Sequence, residues 1–420
     1  MGRPDWRKAT PCERDIIEPE RLYMHEAIDT EVPSDGSRQH PALGIIGGGQ
    51  LARMTAMAAL RLGCDTVVLE RHSFGPASSL ATHFLIGDWS DPATLADLAA
   101  RVDVVTLENE FVDADCLMAL ERTGVSVFPT AASIAIVQDK LLQKEALRSA
   151  GLPVLPFREV LVPADVPRAA EAFGWPLLLK ARRDGYDGKG NVTVRSAAGV
   201  DAAWQALGGH TGRPLYVEAF CAFERELAII ITRGRDGSTC VYPLVETEQR
   251  DHICRIVRAP AQASDELAGE ARDVASRAVA AVGAVGSFGV ELFQVPGGGL
   301  FINELAPRVH NSGHYTIEAC VSSQFENHVR AVFGWPLGSP AMRAPAAVVV
   351  NLLGVGTGSG WPDGVPEALA VRDAAVHIYG KSVSSAGRKM GHVTALGETM
   401  AAAEAVATRA ADALQFGRKP

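Results

Sequence analysis

The chain has 420 residues, 47% of them hydrophobic and 21% charged, which is ample material for about two to four packed domains. Its 40 Lys and Arg against 49 Asp and Glu leave a formal charge of −9, so there is no basic surplus for a nucleic-acid backbone or an anionic membrane. Seven scattered cysteines with no CxxC pair argue against a disulfide framework or a zinc site and fit a reducing cytoplasm. No run approaches 18 apolar residues, and the N-terminus has no signal-peptide core, so neither membrane spanning nor secretion is expected.

Residues 1–40 mix charges, prolines and polar residues without a sustained apolar period and read as a largely disordered extension. From Leu43 the text becomes LGIIGGGQLARMTAMAALRLGCDTVVLE: strand, glycine turn, helix with small residues on one face, then a strand ending at Glu70. Further strand-like runs at 83–87, 103–107 and 125–128, with helical stretches between, predict a parallel sheet covered on both faces. A small lid of strands and a glycine-rich loop is expected over about 155–215, then a larger α+β portion with helices at 264–283 and 314–333. A Pro-rich stretch at 336–345 precedes a C-terminal piece opening with AVVVNLLG. The expected divisions are 1–40, 41–138, 139–342, 343–412 and a tail at 413–420.

Five groups of residues carry chemistry. The turn Gly47, Gly48, Gly49 feeds a helix N-terminus and could cradle an anion, with Glu70 closing the second strand; a plain tight turn or a substrate phosphate is favoured over a dinucleotide, because the full G-x-G-x-x-G is missing. Lys140, Lys180 and the loop Gly185–Asn191 (GYDGKGN) can neutralise and cover a polyphosphate, and they do not form a Walker A loop. Glu218 in YVEAF and Glu226 in FEREL offer strand-end backbone for an adenine edge and a carboxylate for a ribose. Glu291 and Glu304 flank the glycine turn PGGG, and a hairpin there sets two carboxylates side by side with Asn303, hard oxygen donors suited to magnesium. Facing like charges are destabilising without a cation. Finally Arg308, His310 and Asn311 in NELAPRVHNSGHY suit a small planar oxyanion.

The motifs GGGQLARM, QDK, GYDGKG, FEREL, NELAPRVHNSGHYT, SQFENH and GRKMGH, in this order over about residues 42–400, resemble those of the ATP-grasp ligases, and among them the carboxyaminoimidazole ribonucleotide synthetase family of purine biosynthesis. That resemblance implies a mixed α/β and α+β fold with a Rossmann-like N-terminal domain, a two-lobed ATP-grasp and a small C-terminal domain. It implies ATP-dependent carboxylation of 5-aminoimidazole ribonucleotide with bicarbonate, through carboxyphosphate, by a cytoplasmic homodimer. It places Lys140 and Lys180 on the ATP phosphates, Gly185, Tyr186, Asp187, Gly188, Lys189, Gly190 and Asn191 in the flap, and Glu218, Ala219, Phe220 and Cys221 along the adenine. Glu226 and Gln249 would face the nucleoside, Glu291 and Glu304 with Asn303 the magnesium ion, and Arg308, His310 and Asn311 the bicarbonate. The ribonucleotide would meet Gly49, Gln50, Leu51, Glu108, Glu110, Tyr186, Asp187, Lys381, Arg388 and Lys389. The chain departs from the family pattern in LENEF, where an aromatic residue before E-x-E is common, in Gln249, where His is frequent, and in its first forty residues. A formate-using or amino-acid ligase of the same superfamily, a non-catalytic relative and a nicotinamide-dependent oxidoreductase are the rival readings; the last explains only the glycine turn and Glu70.

Overall fold

The computed structural model describes residues 39–185 and 190–417; the N-terminal segment read as an extension therefore lies almost wholly outside the described residues. The first layer is a parallel sheet ordered His83–Ile86, Asp65–Glu70, Ala42–Ile46, Val104–Leu107, Ser126–Val127. All five residues of Ala42–Ile46 and all four of Val104–Leu107 are buried, as expected of strands covered on both faces, whose apolar text is continuous rather than alternating. Helix Gln50–Arg61 packs Ala52, Ala56 and Ala59 inward, and these small side chains let it approach the sheet closely. Helix Pro92–Ala100 starts where Asp91 accepts from the backbone N–H of Ala93 and Thr94, with a proline at its first position, where no N–H is needed.

After helices Ala114–Glu121 and Ala131–Gln138 comes helix Lys140–Ser149, capped by Asp139, which accepts from Leu141 and Leu142 N–H. A four-stranded antiparallel lobe comes next, ordered Phe157–Val160, Leu215–Ala219, Leu177–Ala181, Asn191–Val194. Its core is Val166, Leu177, Leu179, Leu215, Val217 and their neighbours.

The large sheet runs Leu300–Ala306, Gly286–Gln294, Arg225–Arg233, Val245–Arg250, Ile253–Ala259, Ala346–Leu353, Lys389–Gly397, Ala374–Ile378. Helix Asp265–Ala281 covers it, contributing Ala271, Val274, Ala275 and Ala278 to the main core. The longer C-terminal strands join this sheet, where Ile256 pairs with Val350 and Ala259 with Ala347, while Gly358–Ser359 and Val383–Ser384 form a separate two-stranded pair. The chain's C-terminal piece is thus tied by hydrogen bonds to the body that precedes it.

The single helix expected over 314–333 is broken into Thr316–Ala319 and Gln324–Phe333. Ser323 starts the second helix by accepting from Glu326 N–H, and Thr316 Oγ accepts from Gln324 N–H. The break turns the Gln324 side chain back toward His310, where it is needed.

Candidate active site

The Glu291 and Glu304 strands form the antiparallel pair expected of them, with Gly297 and Gly298 at positive φ in the turn between. Glu291 and Glu304 are direct cross-strand partners, and the register slips by a residue immediately after Glu291. Asn303 Nδ2 donates to Glu291 Oε2 over 3.2 Å, and His310 Nε2 lies 3.4 Å from Glu291 Oε1. A cation is already present on the other side: the Lys140 ammonium is hydrogen-bonded to Glu304 Oε2. Burial and then the Glu304 charge push Glu291 above the usual carboxylate range. Burial also opposes charge on Glu304, but Lys140 and Lys180 outweigh it and hold that carboxyl low. One acid is kept ionised by lysine and the other lacks a full counter-charge, so the pair with Asn303 is a set of oxygen donors that could hold a divalent cation.

Lys140 is aimed by its cap. Arg182 donates to both oxygens of Asp139, at 3.0 Å from Nε and 2.6 Å from Nη2, and its backbone carbonyl accepts from Lys140 N–H at 2.8 Å. Lys180 is placed differently: it is buried and donates to Glu218 Oε2 at 2.9 Å. The Glu218 side chain is therefore turned inward, away from any nucleoside, and only its backbone remains for that purpose. Ala219 N–H is committed to Pro156 O, whereas Phe220 is exposed and Cys221 half-buried. Phe223 stacks on Phe293 with centroids 4.6 Å apart. Burial pushes the Glu226 carboxyl upward, and the Gln249 amide beside it draws it partly back.

Arg308 donates through Nε to Glu110 Oε2 at 2.6 Å and through Nη2 to Oε1 at 3.3 Å. His310 is brought to about 3 by burial and by the Arg308 and Lys389 charges, so its imidazole is neutral. Its backbone is gripped at both ends by Gln324, which accepts from His310 N–H at 2.9 Å and donates to His310 O at 2.7 Å. Asn311 does not share that pocket with its side chain. Its amide exchanges hydrogen bonds with Asn351 at 2.8 and 2.7 Å, which ties the loop to strand Ala346–Leu353.

The glycine turn is occupied by the protein's own carboxylates. Gly48 N–H donates to Glu70 Oε2 and Gly49 N–H to Glu108 Oε2, both at 2.8 Å, and Leu51 N–H reaches Glu108 Oε1 at 3.3 Å. A Cβ at Gly49 would lie 2.0 Å from Glu108 Oε1. The glycine there is needed for that carboxylate to sit on the helix N-terminus, and the Gly48, Gly49 and Leu51 N–H groups are already engaged by Glu70 and Glu108. Lys381 donates to Lys389 O at 2.7 Å, and exposed Arg388 to Val383 O at 2.6 Å. Gly185 lines a cleft of about 230 Å³ with Glu110, Gln138, Lys140, Gln143 and Glu304. Gly190 stands at positive φ and Asn191 opens its strand; Tyr186, Asp187, Gly188 and Lys189 lie outside the described residues.

Sequence reading passed over three residues that hold this site. Lys144, one turn after Lys140, reaches Glu218 Oε1 at 2.5 Å. Gln143 donates to Leu305 O and accepts from Leu305 N–H, at 3.1 and 2.8 Å, and so fixes the residue after Glu304. Gln324 is the third. For Lys144 and Gln143 the available signal is polar residues on the buried face of helix Lys140–Ser149; Gln324 opens helix Gln324–Phe333.

The chain matches the ribonucleotide synthetase preATP-grasp domain over residues 41–138, the ATP-grasp domain over 145–325 and the phosphoribosylaminoimidazole carboxylase C-terminal domain over 347–406. It is 42% identical over 353 residues to the N5-carboxyaminoimidazole ribonucleotide synthase of Synechococcus elongatus, covering 84% of this chain and 88% of that one. It belongs to the N5-carboxyaminoimidazole ribonucleotide synthase family. Two solved structures of the Aspergillus clavatus synthase extend the likeness to the fold. The complex with ATP has a TM-score of 0.81 at 37% identity, and the complex with ADP and 5-aminoimidazole ribonucleotide has 0.81 at 36%. Each match covers 89% of this chain and 98% of the other. The preATP-grasp match falls on the parallel sheet, the ATP-grasp match on the four-stranded lobe and the first strands of the large sheet, and the C-terminal match on the strands that complete the large sheet.

Proposed function

We propose that the chain carboxylates the exocyclic amine of 5-aminoimidazole ribonucleotide, using ATP and bicarbonate and giving N5-carboxyaminoimidazole ribonucleotide, ADP and phosphate, a step of purine biosynthesis. The observation that carries the reading is the adjacency of two built groups: Glu291, Glu304 and Lys140 on one side, and Arg308 with neutral His310 on the other, joined by the His310–Glu291 contact of 3.4 Å. Phosphoryl-transfer chemistry and a small oxyanion are thereby set within one side chain of each other.

In this reading a bicarbonate oxygen bonds to the γ-phosphorus as the bond to the β–γ bridging oxygen breaks and ADP leaves. The amine nitrogen then bonds to the carboxyl carbon of carboxyphosphate, phosphate departs, and the nitrogen loses a proton. Lys140 and Lys180 offset charge on the phosphates, the segment Glu218–Cys221 takes the adenine edge, and Glu226 with Gln249 takes the ribose. Arg308 orients bicarbonate by its planar fork, and neutral His310 offers a hydrogen bond without adding charge. Loop Gly185–Asn191 excludes water from carboxyphosphate. Lys381, Arg388 and Lys389 make a local positive pocket for the ribonucleotide phosphate on an acidic protein. Glu291 and Glu304, with Asn303, would hold Mg²⁺, which when bound neutralises charge on the nucleotide phosphates. No helix among the described residues is long and apolar enough to cross a membrane; a cytoplasmic homodimer is the form we propose.

The test is isotopic. Bicarbonate labelled with ¹⁸O should deliver one labelled oxygen to the inorganic phosphate released in the presence of the ribonucleotide. Unlabelled phosphate would exclude carboxyphosphate as the intermediate.

A further inference from the structure

Glu108 and Glu110 stand two residues apart, yet they are held in opposite ways. Glu108 is fixed by backbone N–H groups of Gly49 and Leu51. The Glu110 carboxylate is bonded to the guanidinium of Arg308 through both oxygens, and each of these side chains keeps about a fifth of its surface exposed. Its backbone, by contrast, is anchored, because Gln138 Nε2 donates to Glu110 O at 2.7 Å. The side chain is thus the movable part. It lines the cleft shared with Lys140 and Glu304.

Of the two edges of the Arg308 guanidinium that can take a bidentate acceptor, Nε with Nη2 is filled by Glu110, and Nη1 of the other donates to Val309 O at 3.3 Å. To a guanidinium, bicarbonate presents the same pair of oxygens in a plane as a carboxylate does. The two cannot use the Nε–Nη2 edge together. From this we infer that Glu110 is a placeholder on Arg308, which must leave before bicarbonate binds, and that the ribonucleotide draws it away by offering the N–H donors of its exocyclic amine. This rests on the functional reading above and goes beyond it by assigning an order. The amine substrate opens the bicarbonate site, so that ATP is not spent on carboxyphosphate in its absence.

Two measurements test it. In Glu110→Gln the amide accepts from Arg308 without a charge, so bicarbonate-dependent phosphate release without ribonucleotide should rise roughly tenfold over the wild-type background. In the wild-type protein, the Michaelis constant for bicarbonate should fall as the ribonucleotide is raised from trace to saturation. An unchanged or lowered background in a variant that still binds ATP by calorimetry overturns the placeholder, as does a bicarbonate constant independent of ribonucleotide. If the variant does not bind ATP, the wild-type bicarbonate series decides alone. Wild-type protein with no ribonucleotide-dependent phosphate release would instead overturn the functional reading itself.

Discussion

The Glu218 carboxylate lies 2.5 Å from the Lys144 ammonium, and the two side chains are 1% and 2% exposed. With Lys180 on the other oxygen at 2.9 Å, Glu218 joins helix Lys140–Ser149 to the four-stranded lobe. Burial opposes all three charges, and it draws Lys144 below the ordinary lysine range despite Glu218. Breaking such a set is costly because a buried charge is left short of its partner.

Lys144→Met should therefore lower the stability of the fold by about 3 kcal/mol, the usual scale for removing one member of a buried pair. Equilibrium denaturation would show this as a shifted midpoint. A loss below about 1 kcal/mol, the scale of a surface pair, would contradict the assigned burial.

His328 joins the N-terminal sheet to the large one. Its Nδ1 accepts from Ser287 N–H at 3.0 Å, and its Nε2 lies 2.7 Å from Thr106 Oγ1, whose hydroxyl donates to Phe128 O. The ring must be neutral with its proton on Nε2, and burial draws it down from 6.5 to about 4. Below pH 6.5 the unfolded chain takes up a proton that the folded chain refuses until about pH 4. Stability from this residue is full above the unfolded value and is lost as pH falls through that window, by about 3 kcal/mol in all. The difference in stability between wild type and His328→Gln should shrink on going from pH 7 to pH 4. A difference that stays constant would show that His328 is charged in the fold or solvated.

Much of this architecture could be read from the text, because its signals are local. The parallel sheet announced itself through continuous apolar runs, and the Glu291–Glu304 hairpin through PGGG between two strands. What could not be read is pairing between distant residues. Nothing around Glu110 says that Arg308, 198 positions away, will fill its carboxylate, and nothing in LYVEA says that its glutamate will be buried between lysines 74 and 38 residues earlier, as Lys144 and Lys180 are. The helix break before Gln324 is not legible in the sequence, because the period of apolar residues continues through Cys320 and Val321.

Glu304→Gln removes a charge shared by Lys140 and the proposed magnesium site. Magnesium should strengthen binding of a non-hydrolysable ATP analogue to the wild-type protein, and the variant should lose that strengthening by about tenfold or more. Turnover should fall by about 10²–10³-fold. Calorimetric titration with and without the metal gives the first result independently of activity, and an undiminished magnesium effect would place the ion elsewhere.

Replacing Lys381 and Arg388 together with Ala should raise the Michaelis constant for the ribonucleotide by about 10–100-fold, as expected when charge-assisted phosphate contacts are lost, with little change in that for ATP. Steady-state kinetics with each substrate varied in turn separates the two. Equal rises would assign these cations to the nucleotide.

The most direct test is phosphate release measured with ATP, bicarbonate and 5-aminoimidazole ribonucleotide, each omitted in turn, with the ribonucleotide product followed in parallel. The account predicts rapid release only when all three are present, with one N5-carboxylated ribonucleotide formed for each phosphate before the labile carbamate decays. Full-rate release without the ribonucleotide, or release in its presence with no carboxylated product, would contradict it.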